Sequence, residues 1–249
     1  MGNLQGWWAT HDYHRRNVER GVEKFEGWRR IAELVRSAKE KGDARKDHNG
    51  DRDAAMTSCL FLGGFRVGEG VEERFPGGEL FSSGLMRDNV KVLEDENPPV
   101  ILFDNVKTLK AHRKVKGSDW WEDPATKTGH HYDSVRLPLF RTFPIPLDEP
   151  EDVVQPFLSY VAKAPEGLPL FPITPTRAYQ IIEAVDPSVW PHWFRAQRAA
   201  QLAREYGFKL HDLMEFFQWK EMKTALRYAS MGYSALMEKL PKQKVNRVW

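Results

Sequence analysis

The feature that most constrains the fold is a series of helical hydrophobic patterns in the last third of the chain. In these segments apolar residues recur at helical spacing, which places them on one face of a helix. Gly207 stands between two of the segments, where a C-terminal helix cap is expected. We therefore predict five successive helices, at 176–184, 194–206, 210–217, 221–229 and 233–240.

Helical spacing also appears in the first third of the chain. The apolar positions between Val22 and Val35 predict an amphipathic helix. The charged, glycine-containing segment 39–53 is interpreted as a loop, and the mostly apolar segment 54–62 as a buried helix that ends at Gly63-Gly64. Cys59, the one cysteine of the chain, lies in this segment and is predicted to be a buried structural thiol.

A small sheet is predicted between the two helical regions. Residues 100–103 and 135–140 are short, largely apolar runs typical of paired strands, and a lysine-rich connection at 107–133 lies between them. A proline-punctuated stretch, 143–175, follows the second run. The predicted class is mainly α (α+β), a helical bundle with one small antiparallel β-sheet.

Composition limits the possible classes of protein. With 249 residues, of which 41% are hydrophobic, the chain can bury a sizeable core. It has no run of 18 apolar residues and no export signal, so we expect a cytoplasmic protein without a membrane span. Because the formal net charge is only +2, a phosphate-binding face would need local basic clusters such as 107–116 and 239–247.

Four residues near the C-terminal end have the chemistry of phosphodiester cleavage. His192 and Arg195 are three positions apart on a predicted helix, so both lie on one face. Trp219 and Tyr228 follow on later segments. A phenol can attack phosphorus as a covalent nucleophile while nearby cations stabilise the charge that develops on its oxygens. Taken singly, the histidine and the tyrosine are more typical of ordinary core residues than of a catalytic site.

Two upstream segments carry further cations. Arg66 and Glu69 form an R-x-x-E element directly after the predicted buried helix, and Lys107 follows the first predicted strand. A guanidinium can bind two phosphate oxygens at once, a geometry that lysine cannot reproduce. An ion pair between Arg66 and Glu69 is the structural alternative, and both roles can hold together if Glu69 orients the arginine.

The order of these residues resembles that of the tyrosine recombinase (phage integrase) family, over roughly residues 22–240. The resemblance implies the catalytic-domain fold of that family and six catalytic residues, Arg66, Lys107, His192, Arg195, Trp219 and Tyr228. It implies a supporting role for Glu69. Further basic residues lie in the connection after Lys107 and are expected to contact DNA: Lys110, Arg113, Lys114 and Lys116. Which lysine of 107–116 is the general acid stays open.

The same resemblance sets the expected domain organisation. We predict an N-terminal arm at 1–20, a catalytic domain at 21–232, and a C-terminal helix with a basic tail at 233–249. Complete recombinases usually place a separate core-binding domain before the catalytic domain, and only the arm stands in that place here. By resemblance, the tail is expected to dock on a neighbouring protomer or to fold back over its own domain.

The implied function is site-specific recombination or integration of a mobile genetic element. Tyr228 would form a 3′-phosphotyrosyl bond and release a 5′-hydroxyl, which later attacks to rejoin a strand. The bond energy stays in the linkage, so neither a cofactor nor a metal is expected. The expected partners are double-stranded DNA and further copies of the chain, as dimers to tetramers in the nucleoid. A type IB topoisomerase-like relaxase and a non-catalytic DNA-binding relative remain as alternatives.

Overall fold

The computed structural model describes residues 24–74, 80–109, 138–219 and 221–229. The chain divides into two compact units, a larger one at Glu26–Arg198 and a smaller one to which residues 199–229 belong. Three predicted features lie outside the described residues: the arm at 1–20, the basic connection from Lys110 to residue 137, and the tail at 233–249. The predicted domain boundaries therefore stay a prediction.

Helices form most of the larger unit. They are α1 (Trp28–Asp43), α2 (Gly50–Leu62), the short α3 (Val67–Gly70), α4 (Glu151–Lys163), α5 (Pro175–Val185) and the first part of α6 (Pro191–Glu205). Helix α1 contacts α2, α4 and α5, and α2 also contacts α4. The smaller unit contains the end of α6, then α7 (Leu210–Phe217) and α8 (Met222–Ala229), which contact each other.

The strands of the larger unit are antiparallel. Strand β1 (Glu73–Arg74) pairs with β2 (Leu80–Ser82). A separate sheet has the order β3 (Val90–Leu93), β4 (Val100–Leu109) and β5 (Pro138–Pro146). In its register Phe103 lies opposite Phe143 and Lys107 opposite Phe140. The pairing shifts between Phe103 and Val106, where Asn105 has a φ of 53°, so β4 contains a bulge.

An aromatic cluster joins the sheet to the helices. Alternate residues of β4 and β5 are buried, which places Phe103 and Phe143 on the inner face of the sheet. The Phe103 ring stacks on Phe143 at 5.2 Å and on Phe157 of α4 at 5.6 Å. Phe65, which follows α2, meets Phe103 edge-on at 5.2 Å. This cluster fixes the end of α2 against the sheet.

The predicted class is confirmed over the described part of the chain, which is mainly helical with a small antiparallel sheet. Helices α5 to α8 lie where four of the five C-terminal helices were predicted, within three residues at each end. Gly207 has a φ of 68° just beyond α6, as a helix-ending glycine requires. Cys59 is buried, and burial raises the pKa of its thiol well above the ordinary value. None of the helices within the described ranges has the length and hydropathy needed to span a membrane.

Two boundaries predicted in the first third were wrong. Helix α1 begins at Trp28 rather than Val22, because Gly27 has a φ of 101°, outside the helical region. It also continues to Asp43, and α2 begins at Gly50, so the loop predicted at 39–53 contains only residues 44–49. The charged residues are compatible with helix because Lys39 and Asp43 pair one turn apart, at 3.0 Å.

The sheet and one helix also differ from the prediction. Strand β4 extends past the polar bulge at Asp104-Asn105 to Leu109, so Lys107 lies within the strand rather than after it. Its partner is Pro138–Pro146 rather than 135–140. Helix α4 was missed, because Pro156 and the neighbouring prolines indicated irregular structure. Its buried face of valines and Phe157 stabilises it despite the hydrogen bond that Pro156 cannot donate.

The aromatic cluster gives the first prediction. Phe103→Ala should lower the free energy of unfolding by about 3–5 kcal/mol, the usual cost of truncating a buried phenylalanine to alanine. Val92→Ala, at an exposed position of the same sheet, should change it by less than about 0.5 kcal/mol. Urea denaturation measures both. Similar losses of unfolding free energy in the two variants would show that the aromatic cluster does not form the core beneath the sheet.

Candidate active site

Glu69 occupies the centre of a buried polar cluster in the larger unit. It lies in the first turn of α3 and is 3% exposed. Its Oε2 accepts a hydrogen bond from the backbone N–H of Arg66 at 3.0 Å, which caps the start of this short helix. The Arg66 Nη1 donates to Glu69 Oε1, also at 3.0 Å. The ion pair weighed as an alternative for Arg66 is therefore present, and the Arg66 side chain remains 39% exposed.

Arg195 reaches the same carboxylate from a distant part of the sequence. It lies on α6 and is 1% exposed. Its Nη1 donates to the carbonyl oxygen of Gly64 at 2.6 Å and lies 3.6 Å from Glu69 Oε2. Gly64 has a φ of 55°, a conformation that favours glycine. The fold thus brings together three residues that the sequence singled out: Arg66, Glu69 and Arg195.

Arg141 is a further member that the sequence analysis did not identify. It lies on β5, and its Nη2 donates to Glu69 Oε2 at 3.3 Å and to the Gly63 carbonyl at 3.1 Å. Its guanidinium also lies over the Phe143 and Phe65 rings, at 4.3 and 5.0 Å from their centroids. A signal was available, because Arg141 shares the period of two with the inward-facing Phe143 and Ile145.

The cluster has an excess of positive charge. Three guanidinium groups face one carboxylate, so these four groups carry a net charge of +2. Burial has the largest effect on the pKa of Glu69 and raises it, but Arg141, Arg195 and Arg66 together outweigh burial, so the pKa lies below its ordinary value. Burial lowers the pKa of Arg141 despite the opposing charge of Glu69, yet a guanidinium stays ionised in a protein. Such a cluster is suited to holding an anion.

The other predicted residues of the larger unit are placed as follows. His192 is half-buried on α6, one turn before Arg195. Lys107 lies in β4 opposite Phe140, one position after Val106, which pairs with Arg141. Lys110, Arg113, Lys114 and Lys116 lie outside the described residues. The catalytic and DNA-binding roles of these residues stay predictions.

Trp219 and Tyr228 lie in the smaller unit and contact each other. Helix α7 ends at Phe217, and the next residue, Gln218, has a φ of 50° that turns the chain. The backbone N–H of Trp219 donates to the Met214 carbonyl at 2.9 Å. The Trp219 ring stacks on Tyr228 of α8, with centroids 5.3 Å apart and planes 18° apart. Tyr228 is 9% exposed, which also agrees with the alternative of a core tyrosine. The stack holds the two rings in a fixed relation.

Among the described residues no group of three or more histidine, cysteine and acidic side chains is arranged to hold a metal ion. The three guanidinium groups around Glu69 can themselves stabilise negative charge. An arginine can serve this purpose because its planar fork matches the oxygens of a phosphate.

Comparison with known proteins gives distant structural likenesses. No family model matches the sequence, and no curated protein matches it either. The crystal structure of XerA recombinase is similar over 89% of this chain, with a TM-score of 0.49 and 17% identity. The Tn1549 transposon integrase in complex with transposon right end DNA is similar over 82%, with a TM-score of 0.40 and 18% identity. The same integrase with circular intermediate DNA is similar over 81%, with a TM-score of 0.40 and 17% identity.

This chain spans less than two thirds of each of those structures, 65% of the XerA chain and 63% and 62% of the two integrase chains. The three structures bear names of the recombinase and integrase family that the sequence motifs resemble.

The Glu69 cluster gives the second prediction. Glu69→Gln should lower the free energy of unfolding at pH 7 by about 3–5 kcal/mol, the usual cost of removing one partner from a buried ion pair. The folded pKa of Glu69 is depressed. The contribution of its carboxylate to the free energy of unfolding is therefore fully present above its unfolded pKa of about 4.3 and is lost as the pH falls through the folded pKa. The difference between variant and wild type should therefore shrink in acid.

Chemical denaturation between pH 3 and 7 measures this effect. Glu33→Gln is the matched control, because Glu33 pairs with Arg29 on the exposed face of α1 and exposed pairs contribute little. A Glu69→Gln variant as stable as wild type at pH 7 would contradict the prediction.

Proposed function

We propose that this chain is the catalytic domain of a tyrosine recombinase that cleaves and rejoins DNA through a 3′-phosphotyrosyl intermediate. The observation that carries the proposal is the meeting of Arg66 and Arg195 at Glu69. Arg66 immediately precedes α3 and Arg195 lies on α6, far apart in sequence, and they belong to the two motifs that resemble those of the family. Their excess positive charge supports the binding of a phosphate.

In the proposed reaction Arg66 and Arg195 stabilise the charge that develops on the non-bridging phosphate oxygens. The phenol oxygen of Tyr228 attacks phosphorus, and the bond from phosphorus to the 5′ oxygen breaks as the phosphotyrosyl bond forms. The phenol passes its proton to His192, or to water if His192 instead donates to a phosphate oxygen. Lys107, or another lysine of 107–116, protonates the leaving 5′ oxygen. Attack by a 5′-hydroxyl reverses these steps and rejoins a strand.

Trp219 has a separate part in this proposal. A phenol has an ordinary pKa of about 10, so Tyr228 needs nearby positive charge or donors to react as an anion at neutral pH. The indole N–H can only donate, and here it would donate to a phosphate oxygen. Its stacking on the Tyr228 ring supports this role, because the stack fixes the donor relative to the nucleophile.

The proposed partners are duplex DNA and further copies of the chain. Phosphate contacts by Lys110, Arg113, Lys114 and Lys116 would release counterions, so affinity for DNA should fall as salt is raised. Self-assembly into dimers to tetramers on DNA would bring together the strands to be exchanged. The protein would then act in the nucleoid, where it would recombine or integrate a mobile element.

The third prediction tests the nucleophile. Duplexes selected for binding from a random-sequence library, and nicked at a series of positions along the bound site, should trap an SDS-stable adduct with the wild-type chain. Tyr228→Phe should abolish the adduct, because the nucleophilic oxygen is lost. Tyr179→Phe is the matched control, since Tyr179 is an exposed tyrosine on α5 and should leave adduct formation unchanged.

The products separate the proposal from its alternatives. Strand exchange between two duplexes is expected of a recombinase. Relaxation of supercoiled plasmid without strand exchange would instead indicate a topoisomerase-like relaxase. A gel shift without any covalent species, on every selected duplex, would indicate a non-catalytic DNA-binding protein. An undiminished adduct with Tyr228→Phe would refute the assignment of the nucleophile.

The fourth prediction concerns the arginine fork. Arg195→Lys keeps the positive charge but cannot bind the Gly64 carbonyl and a phosphate with the same planar geometry. Its single-turnover rate of adduct formation should fall by roughly 10²–10³-fold, the usual effect of removing one preorganised donor. Arg204→Lys, at the exposed end of the same helix, should keep the wild-type rate. Equal rates for wild type and Arg195→Lys would exclude Arg195 from the transition state.

A further inference from the structure

The structure assigns a positioning role to Arg141 on β5: it holds the Glu69 carboxylate and the end of α2, and so orients Arg66 and Arg195 toward the phosphate. This inference rests on the proposed function. Arg141 is 5% exposed and its guanidinium lies over the Phe65 and Phe143 rings. Its Nη2 is bound to the Gly63 carbonyl and to Glu69, so Arg141 acts through the residues that it contacts.

Arg141 and Arg195 make matching contacts. Arg141 binds the Gly63 carbonyl and Arg195 the adjacent Gly64 carbonyl, and both approach Glu69 Oε2. One arginine comes from the sheet and the other from α6. Because two separate elements bind the same turn and the same carboxylate oxygen, a shift of Arg141 would move the partners that hold Arg195.

Stability alone does not account for a third arginine. Arg66 and Arg195 already supply two positive charges to one carboxylate. A buried arginine on the inner face of a sheet has a desolvation cost that an apolar side chain of similar volume avoids. Arg141 instead binds Glu69 independently of the two arginines that are proposed to bind phosphate.

Arg141 also affects the ionisation of Glu69. Burial, the largest influence, raises the pKa of this carboxyl, and Arg141 has the largest effect of the three cations that lower it. Without Arg141, Glu69 would take up a proton at a higher pH. A neutral carboxyl group attracts guanidinium groups less strongly. The orientation of Arg66 and Arg195 would then be lost at a pH where the wild type still keeps it.

The experiment measures the rate of adduct formation against pH for the full chain and three variants. Arg141→Met should move the pH at which Glu69 takes up a proton, and with it the steepening of the acid limb, upward by about 1 pH unit, as expected for loss of a neighbouring opposite charge. Arg141→Lys should keep the wild-type midpoint, because it restores the charge. Arg198→Met is the matched control: it removes another buried arginine, which pairs with Glu149 at 2.6 Å, and should leave the midpoint unchanged.

A second measurement needs neither DNA nor activity. The carboxyl carbon of Glu69, labelled with ¹³C and assigned by its loss in Glu69→Gln, should titrate at a higher pH in Arg141→Met than in wild type. If Arg141→Met does not fold, Arg141→Lys carries the test. Its adduct rate at the plateau pH should fall at least about fivefold, because one ammonium group cannot reproduce the two fixed contacts of the guanidinium.

These measurements distinguish failure of the inference from failure of the proposed function. An adduct in wild type, with neither the acid limb nor the Glu69 titration shifted in Arg141→Met, would overturn the positioning role. A wild-type rate in Arg141→Lys would overturn it when the methionine variant is unfolded. If the wild type forms no adduct while the Glu69 titration shifts, the proposed function fails and the hold of Arg141 on Glu69 stands.

Discussion

The site depends on a single buried carboxylate. Glu69 is almost fully enclosed, and an isolated charge in such a place would have a large desolvation cost. It is tolerated because cations from three parts of the larger unit surround it: the residue that precedes α3, strand β5 and helix α6. The same contacts tie those elements together, so the electrostatic requirement of one side chain also specifies the tertiary arrangement. A cluster assembled in this way retains more positive than negative charge, which is what an anion-binding site requires.

The end of α2 gives this cluster its geometry. The last carbonyl groups of a helix have no partner within the helix. Here Gly63 and Gly64 continue the chain beyond α2 and present their carbonyl oxygens to Arg141 and Arg195. A side chain at Gly63 would collide with the Phe65 ring, 2.1 Å from the position of its Cβ. The glycine pair therefore allows the aromatic cluster and the arginine cluster to meet at one turn.

The sequence predicted most of what local periodicity and motif order can specify. The helical patterns located α5 to α8, and the resemblance of the R-x-x-E and H-x-x-R motifs to those of the recombinase family singled out Arg66, Glu69 and Arg195, which the structure brings together. What could not be predicted depends on how the strands pair and on which faces become buried. Strand β4 continues through a bulge at polar residues, and α4 tolerates Pro156 because its buried face stabilises it. Arg141 was missed because the predicted strand ended at residue 140, whereas the pairing of β4 with β5 extends the strand and places Arg141 on the face toward Glu69.

The two arginines proposed to bind phosphate differ greatly in their contact with water. Arg66 is 39% exposed, whereas Arg195 is 1% exposed. Dissolved ions screen exposed charges over a distance of about 8 Å at physiological ionic strength, and they screen buried pairs much less. Concentrated salt should therefore weaken the pull of Arg66 on an incoming anion and leave that of Arg195 nearly intact. The attraction of Arg66 for an anion therefore depends on the salt concentration, while that of Arg195 keeps its strength across a wide range of conditions.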